Sequence, residues 1–548
     1  MCNDQDTIYD IKEIEMNEEH KDIFGCDIGN GYGYISLLID QAKDPVAMFP
    51  TNQDHLDKMG MRSSAYIVPP DGKNIEVYDG RTAYKKHIRE PEKFIHAVKT
   101  RLKEGKIPVP GISNPVSPTD VYGAIVRDLV ILGNQERKNR GEKPIYDLVF
   151  TFPAAFTEDI SLLNKMQSSI ENIEIDEKKL KVRGRLPEPA AVAIDYLYYN
   201  EKILLKNITA GIKTKDSHTV LVYDLGHGTF DVAVVTANKN GDPYKLHINA
   251  GLPDVGGKDF DDIIYNEICK KLKMDYGYTP TNENERENIR EEANSMKHDL
   301  SDYEEADTNI FLKNGESAEI QITRSVFEAK SRGVINRTFE LVEQVLTQAK
   351  EQNIQIDGVV LSGGASQMPM IKQGLEQMLD GENIPVNLYR PSNAVSYGAA
   401  RYAYGILDNQ KQESVSTGKN KINPVLRKYT EYSYGFWMPS EAELEGKIQL
   451  VVNSKQQLPV TSEKVKLFAP SSRLVIKVNR TKTKFYKKND AAVEACESIM
   501  QFPFDVPKNS ECEVSITVLE DYNVKVTCTP NGAAPIEKST KDDLKKLL

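Results

Sequence analysis

Two stretches of the chain set an aspartate just before a glycine turn that joins two apolar strands. They are Ile23-Phe24-Gly25-Cys26-Asp27-Ile28-Gly29-Asn30-Gly31-Tyr32 and Leu221-Val222-Tyr223-Asp224-Leu225-Gly226-His227-Gly228-Thr229-Phe230. A turn without side chains lets a phosphate approach the backbone and brings several N–H groups to bear on it. An aspartate beside such a turn would repel the phosphate unless Mg²⁺ and its waters lie between them. Two hairpins facing each other would hold a metal-triphosphate from both sides, with Asp27 and Asp224 acting on the metal through water. One such hairpin is weak support on its own, because glycine turns after strands are common. The matched pair is far more specific.

Other phosphate and catalytic signatures do not occur. There is no G-x-x-x-x-G-K-[ST], and the glycines after Asp27 fall at 29, 31 and 33, out of place for a dinucleotide fingerprint. No G-x-S-x-G elbow occurs, and the eight histidines show no H-x-x-x-H spacing. A net charge of −11 argues against a nucleic-acid partner. The densest basic stretch, Arg480 to Lys488, reads as a solvated strand edge. The six cysteines are scattered and read as reduced thiols. No run approaches the roughly 18 apolar residues of a membrane span, and residues 1–21 lack the apolar core of a signal peptide. The expectation is a cytoplasmic protein that binds neither nucleic acid nor membrane.

The elements that must position these hairpins follow from periodicity. Asp27 and Asp224 are 197 residues apart, too far for a solenoid repeat, so two large similar halves with a cleft between them are predicted. Val121, Ile125, Leu129 and Leu132 recur at helical spacing, as do Phe260, Ile264, Ile268 and Leu272, and Ile335, Phe339, Val342 and Leu346. Short apolar strands lie between them at 147–152 and 358–361. From Asp408 to Asn423 the composition is that of a linker. Beyond it strands dominate, with Cys512, Val514, Ile516 and Val518 alternating with polar residues and Val524, Val526 and Cys528 doing the same. An all-β sandwich is predicted there.

Further motifs follow in a recognisable order. They are Thr151-Phe152-Pro153-Ala154-Ala155-Phe156, Leu186-Pro187-Glu188-Pro189-Ala190-Ala191, Gly256-Gly257-Lys258-Asp259-Phe260-Asp261, Leu361-Ser362-Gly363-Gly364-Ala365-Ser366 and Ala394-Val395-Ser396-Tyr397-Gly398-Ala399-Ala400. Together with the two hairpins they resemble the DnaK-type heat-shock chaperones, the seventy-kilodalton class. The likeness is strong from about Ile23 to Leu407 and weaker from Tyr429 to Gly532.

The resemblance implies an α/β, actin-like (ribonuclease H-like) two-lobed ATPase domain followed by an all-β sandwich that takes extended or unfolded polypeptide. ATP/ADP and Mg²⁺ are the implied cofactors, and co-chaperones the further partners. Lys99 matches the catalytic lysine near the γ-phosphate, where a cation offsets charge on the transferring group. Glu188 matches the carboxylate that orients the attacking water or takes its proton. Read alone, Lys99 would be a surface helix lysine and Glu188 a turn residue before Pro189.

The nucleotide contacts carried over are Gly29, Asn30, Gly31 and Tyr32 in the first turn, and Gly226, His227, Gly228, Thr229 and Asp231 in the second. Gly256, Gly257, Lys297, His298, Ser301, Gly363, Gly364, Ala365 and Gln367 complete them. Three departures bear on activity. Asn30 and Gly31 stand where the family usually has two threonines, which removes a hydroxyl near the γ-phosphate and implies slowed hydrolysis. His298 and Gln367 replace two arginines whose planar cations would sandwich an adenine.

The expected organisation is an N-terminal extension over 1–20, ATPase lobes over 21–216 and 217–408, and a polar linker over 409–428. A peptide-binding sandwich over 429–536 and a short tail over 537–548 follow. About 140 residues after the ATPase are too few for the family's helical lid, so a lidless peptide site with fast exchange is expected. The function expected is slow Mg-ATP hydrolysis coupled to polypeptide binding. Two alternatives stand beside it, a nucleotide-binding scaffold or co-chaperone with little hydrolysis and an actin-fold small-molecule kinase or filament protein.

Overall fold

The computed structural model describes residues 22–39, 44–49, 60–68, 75–77, 90–209, 217–238, 243–312, 315–412, 426–427, 430, 432–438, 447–454, 456–481, 490–491, 497–520 and 522–540. The expected N-terminal extension, most of the polar linker, Lys482–Lys488 of the basic stretch and the end of the tail lie outside them.

Two larger sheets of the same design organise the described residues between 22 and 427. In the first, strands β1 (Phe24–Ile28), β2 (Tyr32–Leu37), β3 (Val46–Ala47), β5 (Asp147–Phe152) and β6 (Lys181–Pro187) lie in the order β6-β5-β1-β2-β3, with the short β4 (Met61–Arg62) on β2. In the second, β7 (Ser217–Leu225), β8 (Phe230–Asn238), β9 (Tyr244–Leu252), β10 (Gly358–Ser362) and β11 (Val386–Leu388) lie in the order β11-β10-β7-β8-β9. In each sheet an antiparallel hairpin leads into parallel neighbours: β1 with β2 and then β5, and β7 with β8 and then β10. The two large similar halves read from the hairpins are therefore matched strand for strand. β12 (Leu426–Arg427) adds parallel to β9 at the edge of the second sheet.

Helices cover both sheets: α1 (Val98–Arg101), α2 (Pro118–Asn139), α3 (Ile160–Glu171), α4 (Glu188–Thr209), α5 (Gly257–Tyr276), α6 (Glu283–Asp302), α7 (Arg324–Glu351) and α8 (Ala394–Gln412). The periodic residues of α2 and α5 are buried as their spacing requires. α8 continues to Gln412, into the stretch whose composition reads as linker.

Helices α4 and α8 are exchanged between the halves. α4 follows the first sheet and packs on β7 and β8 of the second, whereas α8 follows the second and packs on β1, β2 and β5 of the first. One apolar cluster joins them, with Val149 and Leu186 from the first sheet, Val220, Val222 and Ala233 from the second, and Ala191 and Ala399 from the helices. The crossing is tight enough that a Cβ on Gly398 would lie 1.8 Å from the Ala191 carbonyl oxygen, and one on Gly25 of β1 would lie 2.3 Å from the Ala400 nitrogen. Only glycine fits at either point. A charge network centred on the buried Arg401 and Asp195 closes the same region: Arg401 donates to Asp195 (2.6 Å) and Asp44 (2.7 Å), and Arg390 to Asp44 (2.5 Å) and Asp195 (3.2 Å).

The C-terminal region holds two five-stranded antiparallel sheets. β13 (Ser433–Met438), β14 (Lys447–Val452), β17 (Arg473–Thr481), β18 (Asp490–Ala491) and β19 (Glu497–Asp505) make one, and β15 (Val460–Thr461), β16 (Val465–Ala469), β20 (Ser510–Val518), β21 (Val524–Pro530) and β22 (Ile536–Ser539) make the other. Phe436, Val478 and Phe504 from the first meet Val514, Ile516 and Val526 from the second in one core, which Ile160 of α3 enters from the first half. Asn164 of α3 donates to Asn523 at 2.7 Å, and both are buried. Arg480 is not a freely solvated edge residue, since it stacks on Tyr432 at 4.3 Å and donates to the Glu158 carbonyl at 3.0 Å.

Candidate functional site

The two hairpin turns have the same backbone. The Gly29 N–H donates to the Tyr32 carbonyl at 2.9 Å, and the Gly226 N–H to the Thr229 carbonyl at 3.0 Å. The turns face each other. A Cβ on Gly31 would sit 3.7 Å from His227, and one on Gly228 would sit 2.3 Å from Asn30 Nδ2. The start of α5 is docked on the second turn, with the Gly257 N–H donating to the Gly226 carbonyl and the Lys258 N–H to the His227 carbonyl, each at 2.8 Å. Two donors that a helix start leaves free are thereby satisfied, and Gly256 is held so close that a Cβ on it would lie 2.5 Å from Gly228.

Lys99 is not a surface lysine. It is 2% exposed and its Nζ lies 2.5 Å from Glu188 Oε1, a pair buried on both sides. Burial pulls the ammonium pKa down, but Glu188 and Asp27 more than offset this and hold it above the ordinary lysine value. Burial drives Glu188 well up, against the pull of Lys99. Glu188 also begins the 22-residue α4, where the helix dipole favours a carboxylate. Lys99 sits on the short α1, entered through Ala97 in the left-handed region (φ 48°). A non-glycine residue held there stores strain of the kind that collects at functional sites. Thr100 Oγ1 donates to the Ala97 carbonyl at 2.8 Å and steadies that turn.

Three more carboxyl groups are buried around the pair. Asp27 accepts from Thr151 Oγ1 at 2.6 Å; burial raises its pKa, with Lys99 and Thr151 pulling the other way. Asp224 is pushed up to about 8 by burial and then by Asp231 and Asp27. Burial takes Asp231 to about 6, tempered by Lys99 and the Ala154 N–H, which donates to Asp231 Oδ1 at 2.6 Å. Asp27, Asp224, Asp231 and Glu188 thus crowd Lys99. A bound divalent cation would favour the ionised form of these carboxyl groups.

The remaining expected contacts fall into two groups. Lys297 of α6 is buried, pairs with Asp261 at 2.6 Å and donates to the Gly257 carbonyl at 3.3 Å, while Ser301 Oγ donates to the Lys297 carbonyl at 3.1 Å. Gly363, at φ +81°, lies against the second hairpin, where a Cβ would stand 2.3 Å from the Leu225 carbonyl oxygen and 2.7 Å from Asp224 Oδ1. Gly364, Ala365 and Gln367 continue this turn, and Gln367 folds back to donate to the Gly364 carbonyl at 3.2 Å. Gln367 and His298 are both exposed. His227 is held below the ordinary histidine pKa by the protein packed around it and then by Lys297.

Sequence reasoning missed four residues here. Thr151 lies within a quoted motif but carries no signal as a partner of Asp27. Asp261 pairs with Lys297 from another helix. Thr100 meets Asn30 across the first turn. Tyr122 is buried on α2, its phenol raised by burial and then by Cys26, Glu188 and Asp27; it reads in sequence only as one more apolar helix position. A sequence model of the family described as Hsp70 protein matches residues 79–417, more than half of the chain.

Proposed function

The chain belongs to the Hsp70 family of chaperone-type nucleotide-binding proteins, whose actin-like ATPase fold the paired α/β sheets fit, and on that premise we propose that it binds Mg-ATP between the two turns, hydrolyses it slowly, and holds extended polypeptide on a β-sandwich over 429–536. The observation that carries the reading is the buried Lys99–Glu188 pair between two matched glycine turns.

Asp27 and Asp224 would hold Mg²⁺ through its waters; among the described residues no three His, Cys, Asp or Glu side chains are grouped to ligate a metal directly. When bound, the metal would offset charge on the phosphates. Lys99 neutralises charge on the terminal phosphoryl group, and Glu188 orients the attacking water and accepts its proton. The N–H groups of the two glycine turns grip the phosphate oxygens. Thr229 and Asp231 fix the second turn beside them. Binding with little turnover is the second reading, favoured by the missing hydroxyls at Asn30 and Gly31.

A cytoplasmic setting belongs to the same proposal, supported by the free thiols of Cys26, Cys269, Cys512 and Cys528. Among the described residues no helix is long and apolar enough to cross a membrane.

Thermal unfolding with and without Mg-ATP, combined with single-turnover hydrolysis by the wild type and Lys99→Ala, tests the reading. A rise in Tm with millimolar Mg-ATP and turnover lost in the variant are expected. No rise in Tm overturns the nucleotide site, whereas a rise without turnover selects the second reading. A fluorescent unfolded peptide whose affinity differs between ATP and ADP is the expected result for the sandwich.

A further inference from the structure

Tyr122 stands just over one turn into α2, in the core that backs the first sheet, and is 1% exposed. The same core cluster holds Cys26 of β1, next in the chain to Asp27, and Val98 of α1, next to Lys99. Helix α1 itself packs on α2. Tyr122 therefore lies among the elements that carry the charged side chains of the site, and its oxygen is near enough to Cys26, Glu188 and Asp27 for their charges to act on it. Yet the hydroxyl is buried without a hydrogen-bond partner. A ring that only filled the core would serve as well or better as phenylalanine, because an unmade buried donor is unfavourable.

The reaction would give this donor its acceptor. Glu188 Oε1 accepts from Lys99 Nζ at 2.5 Å, and that pairing opposes the burial that drives the carboxyl towards its neutral form. The other charged groups acting on Glu188, Asp27 of β1 and Asp231 of β8, are carboxyls that push the same way as burial. Lys99 is thus the cation on which the carboxylate depends. When Lys99 turns to a terminal phosphate that support is shared with the ligand, although Glu188 has to stay ionised to orient water and accept its proton. A hydrogen bond donated to the charged form favours it, and Tyr122 Oη is a buried donor with none made. Catalytic hydrogen bonds of this kind are often long in free enzymes and tighten only around the substrate.

We propose that Tyr122 is a positioning residue for hydrolysis, its Oη donating to the Glu188 carboxylate once Lys99 has moved to the terminal phosphate and so holding that carboxylate against the attacking water. The proposal rests on the hydrolytic reading above. Tyr122 makes no bond to the nucleotide, so its role concerns the step and not the affinity.

Single-turnover hydrolysis and isothermal titration with Mg-ATP, run on the full-length wild type and Tyr122→Phe, test this. The phenyl ring keeps the packing and loses only the oxygen. The hydrolysis rate is expected to fall about tenfold, the loss of one hydrogen bond to a charged group, while the Kd for Mg-ATP stays within about threefold of the wild type. The thermal midpoint of the variant without nucleotide is not lowered, because the hydroxyl makes no bond there. A rate within about threefold of the wild type overturns the proposal and leaves the nucleotide site standing. A slower rate matched by an equal loss of affinity, or accompanied by a lowered thermal midpoint or failure to fold, also overturns it, since the hydroxyl then serves the fold. A wild type that binds no Mg-ATP, or binds it without turnover, overturns the underlying reading and the proposal with it.

Discussion

The two hairpins share a backbone but differ in electrostatics. Each places an aspartate before a glycine turn closed by the same i to i+3 hydrogen bond. Asp27 of the first has Thr151 as a donor and Lys99 as a nearby cation. Asp224 of the second is pushed further from its ordinary state by two other carboxyl groups, Asp231 and Asp27. The turns themselves differ as well, with Asn30 and Gly31 on one side against His227 and Gly228 on the other. A repeated strand-turn-strand unit therefore fixes where groups stand, and the neighbours that each half recruits decide what charge those groups carry. Lys99 and Thr151 partly offset the burial of Asp27, whereas at Asp224 the pull of Lys99 is opposed by two further carboxyl groups.

The largest effect is expected from removing the cation of the first hairpin. Lys99→Ala strands Glu188 as a buried carboxyl without its partner and should cost about 3–5 kcal/mol, measured by urea unfolding. Adding Glu188→Gln should recover much of that loss, since it removes the unpaired charge.

The turns can be compared next. Gly228→Ala places a methyl on Asn30 and within 3.2 Å of Thr100 Cγ2, and about 1–3 kcal/mol of destabilisation is expected. Gly31→Ala meets His227 only at ordinary contact distance, 3.7 Å, and should change stability by less than about 0.5 kcal/mol.

The last comparison concerns pH. In the folded chain free of nucleotide and metal, Asp224 has a pKa of about 8 against an ordinary 3.8. It keeps its proton over a range where the unfolded chain has lost its own. Its contribution to stability is therefore complete below about pH 4 and declines as pH rises towards 8. Asp224→Asn should flatten this limb between pH 5 and 8 in unfolding midpoints. Asp27→Asn should flatten it less, because Thr151 and Lys99 pull Asp27 down.

Much of this arrangement was legible in residues alone. The paired aspartate-glycine turns marked two halves, and the apolar rows of α2 and α5 marked helices that are buried as expected. The resemblance carried by the ordered motifs singled out Lys99 and Glu188, although neither residue would stand out alone. Partnerships set by tertiary packing were not legible. A helical period identifies an apolar face without saying which sheet it covers, so the exchange of α4 and α8 leaves no trace in spacing. Asp261 and Thr151 became partners of Lys297 and Asp27 only once separate elements met. β12 has two residues, too short for any alternation to show. Arg480, at the start of a basic run, stacks on Tyr432 next to the paired strand and reaches the Glu158 carbonyl, more than 300 positions away in the chain.

The exchange of α4 and α8 also has a meaning in time. Strand β1 leaves the ribosome well before the helix that covers its Gly25 face, which begins only at Ala394. At about 5–20 residues per second the delay is roughly 20–70 s. For that interval the face of the first sheet that α8 covers stays open, while the opposite face packs among residues 24–180. By its topology the chain keeps this face of the first sheet open until it has been made as far as α8.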